Sequence, residues 1–514
     1  MPEIQLPSAT DLPDDPALLR PIIVQLLSLI EKRGQTIEQL QQQLAALTRR
    51  LYGRSSERFD PNQVLMDEVM ITALEQRGAA PAPVVQVVEK HTRKVTPHGR
   101  TIFPETLRHE EVIIPVPENE RVCPITGQER PVIGYEECKK LEYRAPEVWV
   151  RVYKREKRGS LPKAEEVGVV TAPPPEGPIA KGSLDNGLLA HLVVSKFVDH
   201  LPLYRQEKIF KRLGVTLNRR TLCDSLLQAA VPLQGLAELV RQRILANRVV
   251  HHDDTPVDLQ GEEGGRGIRE ARYWASTVPV RAGPWVHFTF TLTREGKHVT
   301  EFFDGYQGAV MSDDFSGYGM LDPSRVVRLC CWAHARRKFF EAQSASPLEA
   351  TEMLERIKGL YTLEGSVPAD PQHDGERLRL RQEQAVPLLE GIHERLSAWA
   401  LTALPKSPLG KAVAYTVSNW KMLTAYVEDP VRPIDNNPAE QVIRPVALGR
   451  KNWLFVGSER GGQAAATYMT LLASCQRTGL NPYDYFRDLF ARIMAHPAHR
   501  LDQLLPDIWK PAGA

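Results

Sequence analysis

The apolar positions from Leu19 to Leu51 recur every seven residues. Ile23, Ile30, Ile37, Leu44 and Leu51 fall on one heptad position, and Leu19, Leu26, Leu40 and Leu47 on the other. A seam of this kind predicts a coiled coil over residues 15–52, and isoleucine at the first position with leucine at the fourth favours two parallel strands. A homodimer or higher oligomer is therefore expected through this segment. Arg33 interrupts the second series and Gly34 follows it, so the coil is expected to bend there.

Residues 53–100 read as a short helix and a linker rich in Ala, Pro and Val. Residues 101–175 switch to two-residue alternation, as in Leu141-Glu-Tyr143-Arg-Ala-Pro-Glu-Val148-Trp-Val150, and close on Pro173-Pro-Pro175. They predict a small β-rich module. Helical periodicity returns over 180–247, broken at Leu213-Gly214-Val215 and restarted at Asn218. Helix, glycine turn and helix outline a helix-turn-helix, with Asn218 as the expected cap and Arg219 and Arg220 in the first turn of the second helix, where such helices meet DNA.

Over 248–343 short β runs dominate. Arg248–His252 ends in Asp253-Asp254; Tyr273–Val278 and Trp285–Leu292 follow; after a helix from Lys297 to Phe303, Gly308–Ser312 ends in Asp313-Asp314; Val326–Cys331 then leads into a helix. Three strands, helix, strand, strand, helix is the order of a ribonuclease-H-like α/β domain. Residues 344–430 predict an all-α insertion, 431–466 the last part of the catalytic domain, and 467–514 a C-terminal helical tail. The fold class is thus multi-domain α/β.

Composition adds limits. The 514 residues are 42% apolar and 25% charged, as in folded globular proteins. A net charge of +2 leaves any affinity for nucleic acid to local clusters, of which there are two, Arg151–Arg158 and Tyr204–Arg220. The six cysteines show no disulfide-framework spacing, which points to a reducing, cytoplasmic setting. No apolar run approaches the roughly 18 residues of a membrane span, so no membrane partner is expected.

Phosphodiester chemistry on divalent metals needs hard oxygen ligands, and aspartates at strand ends suit it. In the predicted topology the first and fourth strands are neighbours, so each aspartate doublet brings one carboxylate to a common place. Neighbouring strand side chains face opposite ways, and pattern alone leaves open whether Asp253 or Asp254, and Asp313 or Asp314, points into the site. Glu440 near a helix start is the third candidate. It also fits a capping box, with Asn437 as N-cap and Pro438 in the first turn.

Several strings resemble the transposases of the insertion sequence 66 family. They are His251-His-Asp253-Asp-Thr255, Ser312-Asp313-Asp-Phe-Ser-Gly317-Tyr318, Cys331-Trp-Ala-His334-Ala-Arg336-Arg337-Lys338-Phe339, Asp435-Asn-Asn-Pro-Ala-Glu440-Gln-Val-Ile-Arg444-Pro445 and Gly449-Arg-Lys-Asn-Trp-Leu-Phe-Val-Gly457. Asp199–Glu207 and Gly53–Glu57 extend the likeness over most of the chain.

The resemblance implies a transposase that cleaves element ends and joins them to target DNA. It selects Asp253, Asp313 and Glu440 as a catalytic, metal-binding triad holding two Mg2+ or Mn2+ ions, and leaves Asp254 and Asp314 outside it. It implies terminal inverted repeats and target DNA as partners, with element-encoded accessory proteins as further ones. His334, Arg337 and Lys338 would hold phosphate; Arg444, Arg450 and Lys451 would grip DNA beside Arg219 and Arg220. Trp453-Leu-Phe455 reads as core and not as a stacking platform.

The family's module before the helix-turn-helix carries two close cysteine pairs. Here Thr126 replaces the second cysteine, and only Cys123 and Cys138 remain, with His98 and His109 unsuitably spaced. No zinc is expected there, since tetrahedral zinc needs four ligands, nor at Cys331 and His334. The alternative reading is a catalytically silent DNA-binding protein derived from a transposase.

Overall fold

The computed structural model describes residues 147–158, 170–180, 182–261 and 267–511, with Ile125 and Gln128. The coiled-coil seam, the linker, Cys123, Cys138, His98, His109 and most of the small module lie outside the described residues. The chain divides into two units, Arg54–Val150 and the remainder. In the second unit the first described feature is a two-residue antiparallel ribbon, Lys157–Arg158 against Val170–Thr171.

Among the described residues, four α-helices precede the main sheet: α1 (Asn186–Phe197), α2 (Leu203–Arg212), α3 (Arg219–Ala230) and α4 (Gln234–Leu245). Asp185 starts α1 by accepting from the Asn186 amide. The α2–α3 turn uses Gly214 at φ +83°, a left-handed conformation that glycine adopts without strain. Asn218 stands at the N-cap of α3 but makes no side-chain capping bond, so extended backbone alone starts that helix. Leu222, Leu226 and Ala229 bury one face of α3, while Arg219 and Arg220 stay exposed on the other.

The sheet contains β1 (Val249–Gln260), β2 (Ile268–Thr277), β3 (Val286–Thr291), β4 (Gly308–Ser312) and β5 (Val326–Cys330) in the order β3-β2-β1-β4-β5. The first three are antiparallel neighbours, and β4 and β5 run parallel to β1. The first strand does not end at the aspartate doublet as its sequence suggested. Pairing with β2 carries it through Asp253 and Asp254 to Gln260; only the parallel pairing with β4 stops, at His251.

Alternation sorts β1 into two faces. Val257 and Leu259 join Tyr273, Phe288, Ile443 and Val446 in one core. On the other face, His252 is packed among Trp274, Phe302, Phe303 and Tyr318, two of them from α5 (Gly296–Phe302) and the residue after it.

After β5, α6 (Trp332–Ala342) leads into a wholly helical stretch, α7 (Pro347–Gly365), α8 (Asp374–Leu380), α9 (Val386–Thr402), α10 (Pro408–Ser418) and α11 (Trp420–Thr424). Met353, Ile357, Ile392 and Leu396 pack with Trp332 and Phe339 in one core. A π-turn at Arg381–Ala385 joins α8 to α9. Arg381 is 2% exposed, binds Glu364, and donates to the carbonyls of Tyr426, Asp429 and Arg432 at 2.7, 2.7 and 3.1 Å. That guanidinium fixes the segment on which the chain returns to the sheet. The return is α12 (Asn437–Trp453), then β6 (Phe455–Val456) on the far end of β1, α13 (Glu459–Arg477) and α14 (Pro482–Arg492). The described residues contain no helix long and apolar enough to cross a membrane.

Candidate active site where the parallel strands part

Beyond His251 the edge of β1 loses β4, and its backbone needs another partner. Asn436 supplies it. Its Nδ2 donates to the His252 carbonyl at 3.1 Å, its Oδ1 accepts from His251 Nδ1 at 3.2 Å, and its amide donates to Cys331 Sγ at 3.2 Å. This fully buried asparagine ties β1, the end of β5 and the start of α12 together. Glu440 then lies about one turn into the helix. Asn436, not Asn437, is the N-cap, and it makes no side-chain capping bond. The capping box is therefore absent, because the cap side chain is committed to the sheet.

The consequence is a crowd of carboxylates. Asp253, Asp254 and Asp313 each offer an oxygen within 4.8 Å of the others. The Asp253 carboxyl is pushed up to about 8, first by burial, then by the charge of Asp313, with Asp254 and Glu440 adding to it; the Asp254 amide opposes the shift. Asp313 accepts from the Phe315 amide at 3.1 Å and from Arg294 at 3.0 Å. Asp254 points to the other face of β1, yet its carboxylate still belongs to the cluster, a point that alternation alone missed. Burial raises its pKa, and Arg294 and Arg272 oppose that, at 2.7 and 3.1 Å from its oxygens. Asp314 is exposed.

Glu440 faces His334 Nε2 and Arg337, each at 3.6 Å. Its Oε1 is buried without a hydrogen-bond partner among the described residues. Burial lowers the His334 pKa, and Glu440 opposes that shift, so the ring is neutral at neutral pH. Lys338 lies over the Tyr415 ring at 4.5 Å. Arg450 is turned onto β1, donating to the Pro256 carbonyl at 2.6 Å; Lys451 is exposed and Arg444 half-buried. Arg220 pairs with Asp224 at 3.7 Å. Trp453 packs on the core of α12, whereas Phe455 is 42% exposed.

The converging oxygens of Asp253, Asp254 and Asp313, with the Asp253 carboxyl pushed up by burial and by the charge of Asp313, fit a divalent cation bound by hard ligands. An apolar cavity of about 180 Å³ between α1, α3, α12 and α13 includes none of these carboxylates.

Comparison with known families decides the identity. The model of the family "Transposase IS66 family" matches residues 181–464, more than half of the chain. The chain belongs to the IS66 transposase family. The family's C-terminal element matches residues 470–506, and a model described as "Transposase C of IS166 homeodomain" matches 39–112. Two curated relatives from Sinorhizobium fredii (strain NBRC 101917 / NGR234), the uncharacterized proteins y4hP and y4jD, are each 29% identical over 505 residues. The alignments cover 92% and 95% of this chain and 89% and 97% of those proteins. No solved structure matches. Membership makes this a transposable-element protein and implies DNA as a partner and divalent metal as a requirement. In this IS66 transposase the matched span contains Asp253, Asp313 and Glu440, as well as Asn436, Arg294 and Arg381, whose parts the sequence did not reveal. Arg294 carried no motif, and the Asp-Asn-Asn-Pro string drew notice only for the glutamate that follows it.

Proposed function

We propose that this IS66 transposase cleaves element ends and joins them to target DNA at a triad of Asp253, Asp313 and Glu440 on a ribonuclease-H-like domain. The observation that carries the reading is the strand order β3-β2-β1-β4-β5, which brings Asp253 and Asp313 to adjacent parallel strands where their pairing ends. Glu440, near the start of α12, groups with Cys331 and His334, and its charge acting on Asp253 supports its assignment as the third carboxylate.

Asp253, Asp313 and Glu440 would hold two Mg2+ or Mn2+ ions, which supply activation of the attacking oxygen and stabilisation of the leaving one. Around them the chain's own groups orient the substrate. Arg337, with a side chain 57% exposed, reaches out toward a phosphate, and neutral His334 offers one donor beside it. Arg294 holds the Asp313 carboxylate in place, and Asn436 fixes β1 against α12. Water attack at the element end frees a 3′-hydroxyl, and that hydroxyl attacks target DNA in a second in-line displacement. The exposed Arg219 and Arg220 on α3, with Lys338, Arg444 and Lys451, are assigned to the DNA backbone, whereas Arg450, bonded to Thr255 and the Pro256 carbonyl, is assigned to holding α12 on β1. The expected organisation adds the coiled coil over 15–52 as a dimerisation element, the linker to residue 100, the module 101–175 without zinc, and the helical insertion 344–430.

The test is a strand-transfer assay with labelled element ends and Mg2+. Wild-type protein is expected to yield cut ends and joined product. DNA binding without any metal-dependent product would overturn the reading in favour of a silent DNA-binding derivative, and cut ends without joining would leave a plain nuclease.

A further inference from the structure

The fifth strand ends beside a second group of ligating atoms. Cys331 precedes the first residue of α6, and His334 lies in that helix's first turn, so the two side chains stand on one side of the helix start. Two ligands alone make no metal site, and in the sequence they are two. The fold adds a third from far downstream, because Asn436 pins the start of α12 to Cys331 and sets Glu440 opposite. One atom each of Cys331, His334 and Glu440 lies within 4.8 Å of the others.

The surroundings suit a cation with an affinity for sulfur and nitrogen. The Asn436 amide donates to Cys331 Sγ at 3.2 Å, and the His334 amide bonds the same sulfur. Burial, with the charges of Asp435 and Glu440, pushes the Cys331 thiol well up, and these backbone N–H groups oppose the shift; a divalent cation takes the place of that proton when it binds. His334 Nδ1 and Glu440 Oε1 are both buried and make no hydrogen bond among the described residues. The separation of 3.6 Å between His334 Nε2 and Glu440 Oε1 is too long for a hydrogen bond but fits two atoms that share an ion after a small rotation. Buried polar atoms without partners are rare and destabilising, and here Glu440 Oε1 is one of them, facing His334 Nε2 in the same small cluster as the Cys331 sulfur.

We propose that Cys331, His334 and Glu440 form a second cation site, selective for Zn2+ over Mg2+, which when filled withdraws Glu440 from the carboxylate site. Thiolate and imidazole prefer zinc, whereas magnesium takes oxygen ligands. On binding, the Cys331 thiol releases its proton to solvent as the sulfur–zinc bond forms, and a water completes the fourth position. The binding stands independently of the proposed reaction. The inhibition that it would cause rests on that reading.

Co2+ serves as the spectroscopic probe on the full chain without Mg2+. A thiolate-to-cobalt charge-transfer band in the near ultraviolet is expected in the wild type and in Asp253→Asn, and is expected to vanish in Cys331→Ser. Absence of the band, or its persistence in Cys331→Ser, overturns the site. Should Cys331→Ser fail to fold by its melting curve, His334→Ala keeps the thiol and should weaken cobalt binding roughly tenfold or more; unchanged binding overturns the proposal. In the second arm, equimolar Zn2+ added to Mg2+-supported strand transfer should inhibit the wild type roughly tenfold more than it inhibits Cys331→Ser, each relative to its own zinc-free rate. Equal inhibition of the two overturns the competition for Glu440. No product with any metal while the cobalt band stands would instead count against the transposase reading alone.

Discussion

The two faces of β1 treat neighbouring carboxylates in opposite ways. On one face Asp254, its side chain 1% exposed, is met by Arg272 and Arg294 at 3.1 and 2.7 Å. On the other, Asp253 has its neighbour's amide as a donor and feels the charges of Asp313, Asp254 and Glu440. The first is an ion-pair network in which each guanidinium also holds a second carboxylate, Arg272 on Glu270 and Arg294 on Asp313. The second gathers carboxylates with too few cationic partners, so that one of them holds its proton to about pH 8, an arrangement typical of functional sites. The difference supports the assignment of Asp253 rather than Asp254 as the ligand proposed above, although both carboxylates lie in one cluster with Asp313.

The largest effect expected from breaking this comparison is catalytic. Asp253→Asn should reduce strand transfer to background while leaving DNA retention on a gel unchanged, since the substitution removes a ligand and not a DNA contact. Retained transfer would mean that the balanced carboxylate is the working one. The reverse substitution should act mainly on folding. Asp254→Ala leaves Arg272 and Arg294 without their shared partner, and the loss should be about 2 kcal/mol, since both lose a buried acceptor but keep Glu270 and Asp313. Denaturant titration of the full chain checks it. A change below about 1 kcal/mol would mean that water replaces the aspartate.

How far the sequence foretold these two roles depends on what kind of contact is involved. Alternation placed Asp253 and Asp254 on opposite faces, and the order of the elements brought the first and fourth strands together; both follow from local periodicity. The length of β1 did not. Its polar and proline-bearing half, Asp253–Gln260, is strand because β2 pairs with it throughout and β6 adds to its far end. Nor could periodicity find Asn436, Arg294 or Arg381. Each acts across long sequence separations through one hydrogen-bonding side chain, and such contacts leave no period. The capping pattern before Glu440 was locally sound and still did not form, because the sheet edge at His252 competes for the same asparagine.

The asymmetry also has a pH signature. The Asp253 carboxyl titrates near 8 in the folded chain and near the ordinary value of about 4 when unfolded. Between those values the folded state holds a proton that the unfolded state lacks, so without metal stability falls as pH rises and levels off above pH 8. The slope is at most about 1.4 kcal/mol per pH unit. Melting temperatures in chelator from pH 5 to 9 should show the decline, and Asp253→Asn should flatten it. Added Mg2+ should raise the melting temperature most at the alkaline end, where the ionised carboxylate is free to take it. Equal slopes in the two proteins would assign the pH dependence to other groups.

Arg294 is where the two faces meet, for it bonds Asp254 on one side and Asp313 on the other, at 2.7 and 3.0 Å, with its guanidinium stacked 4.2 Å from the Phe315 ring centroid. Its positive charge steadies the carboxylates in the absence of metal and opposes a cation arriving at Asp313. Arg294→Gln removes that opposition, so the Mg2+ concentration that half-saturates the site should fall by roughly fivefold, corresponding to about 1 kcal/mol for one charge near a partly solvated site. The same substitution leaves Asp254 with Arg272 alone, so the metal-free protein should melt earlier even as its response to Mg2+ sharpens. The two shifts in opposite directions, read from melting curves across a Mg2+ titration, distinguish a residue that balances both faces from one that simply packs. A fall in metal-free stability with unchanged Mg2+ affinity would confine Arg294 to the structural face.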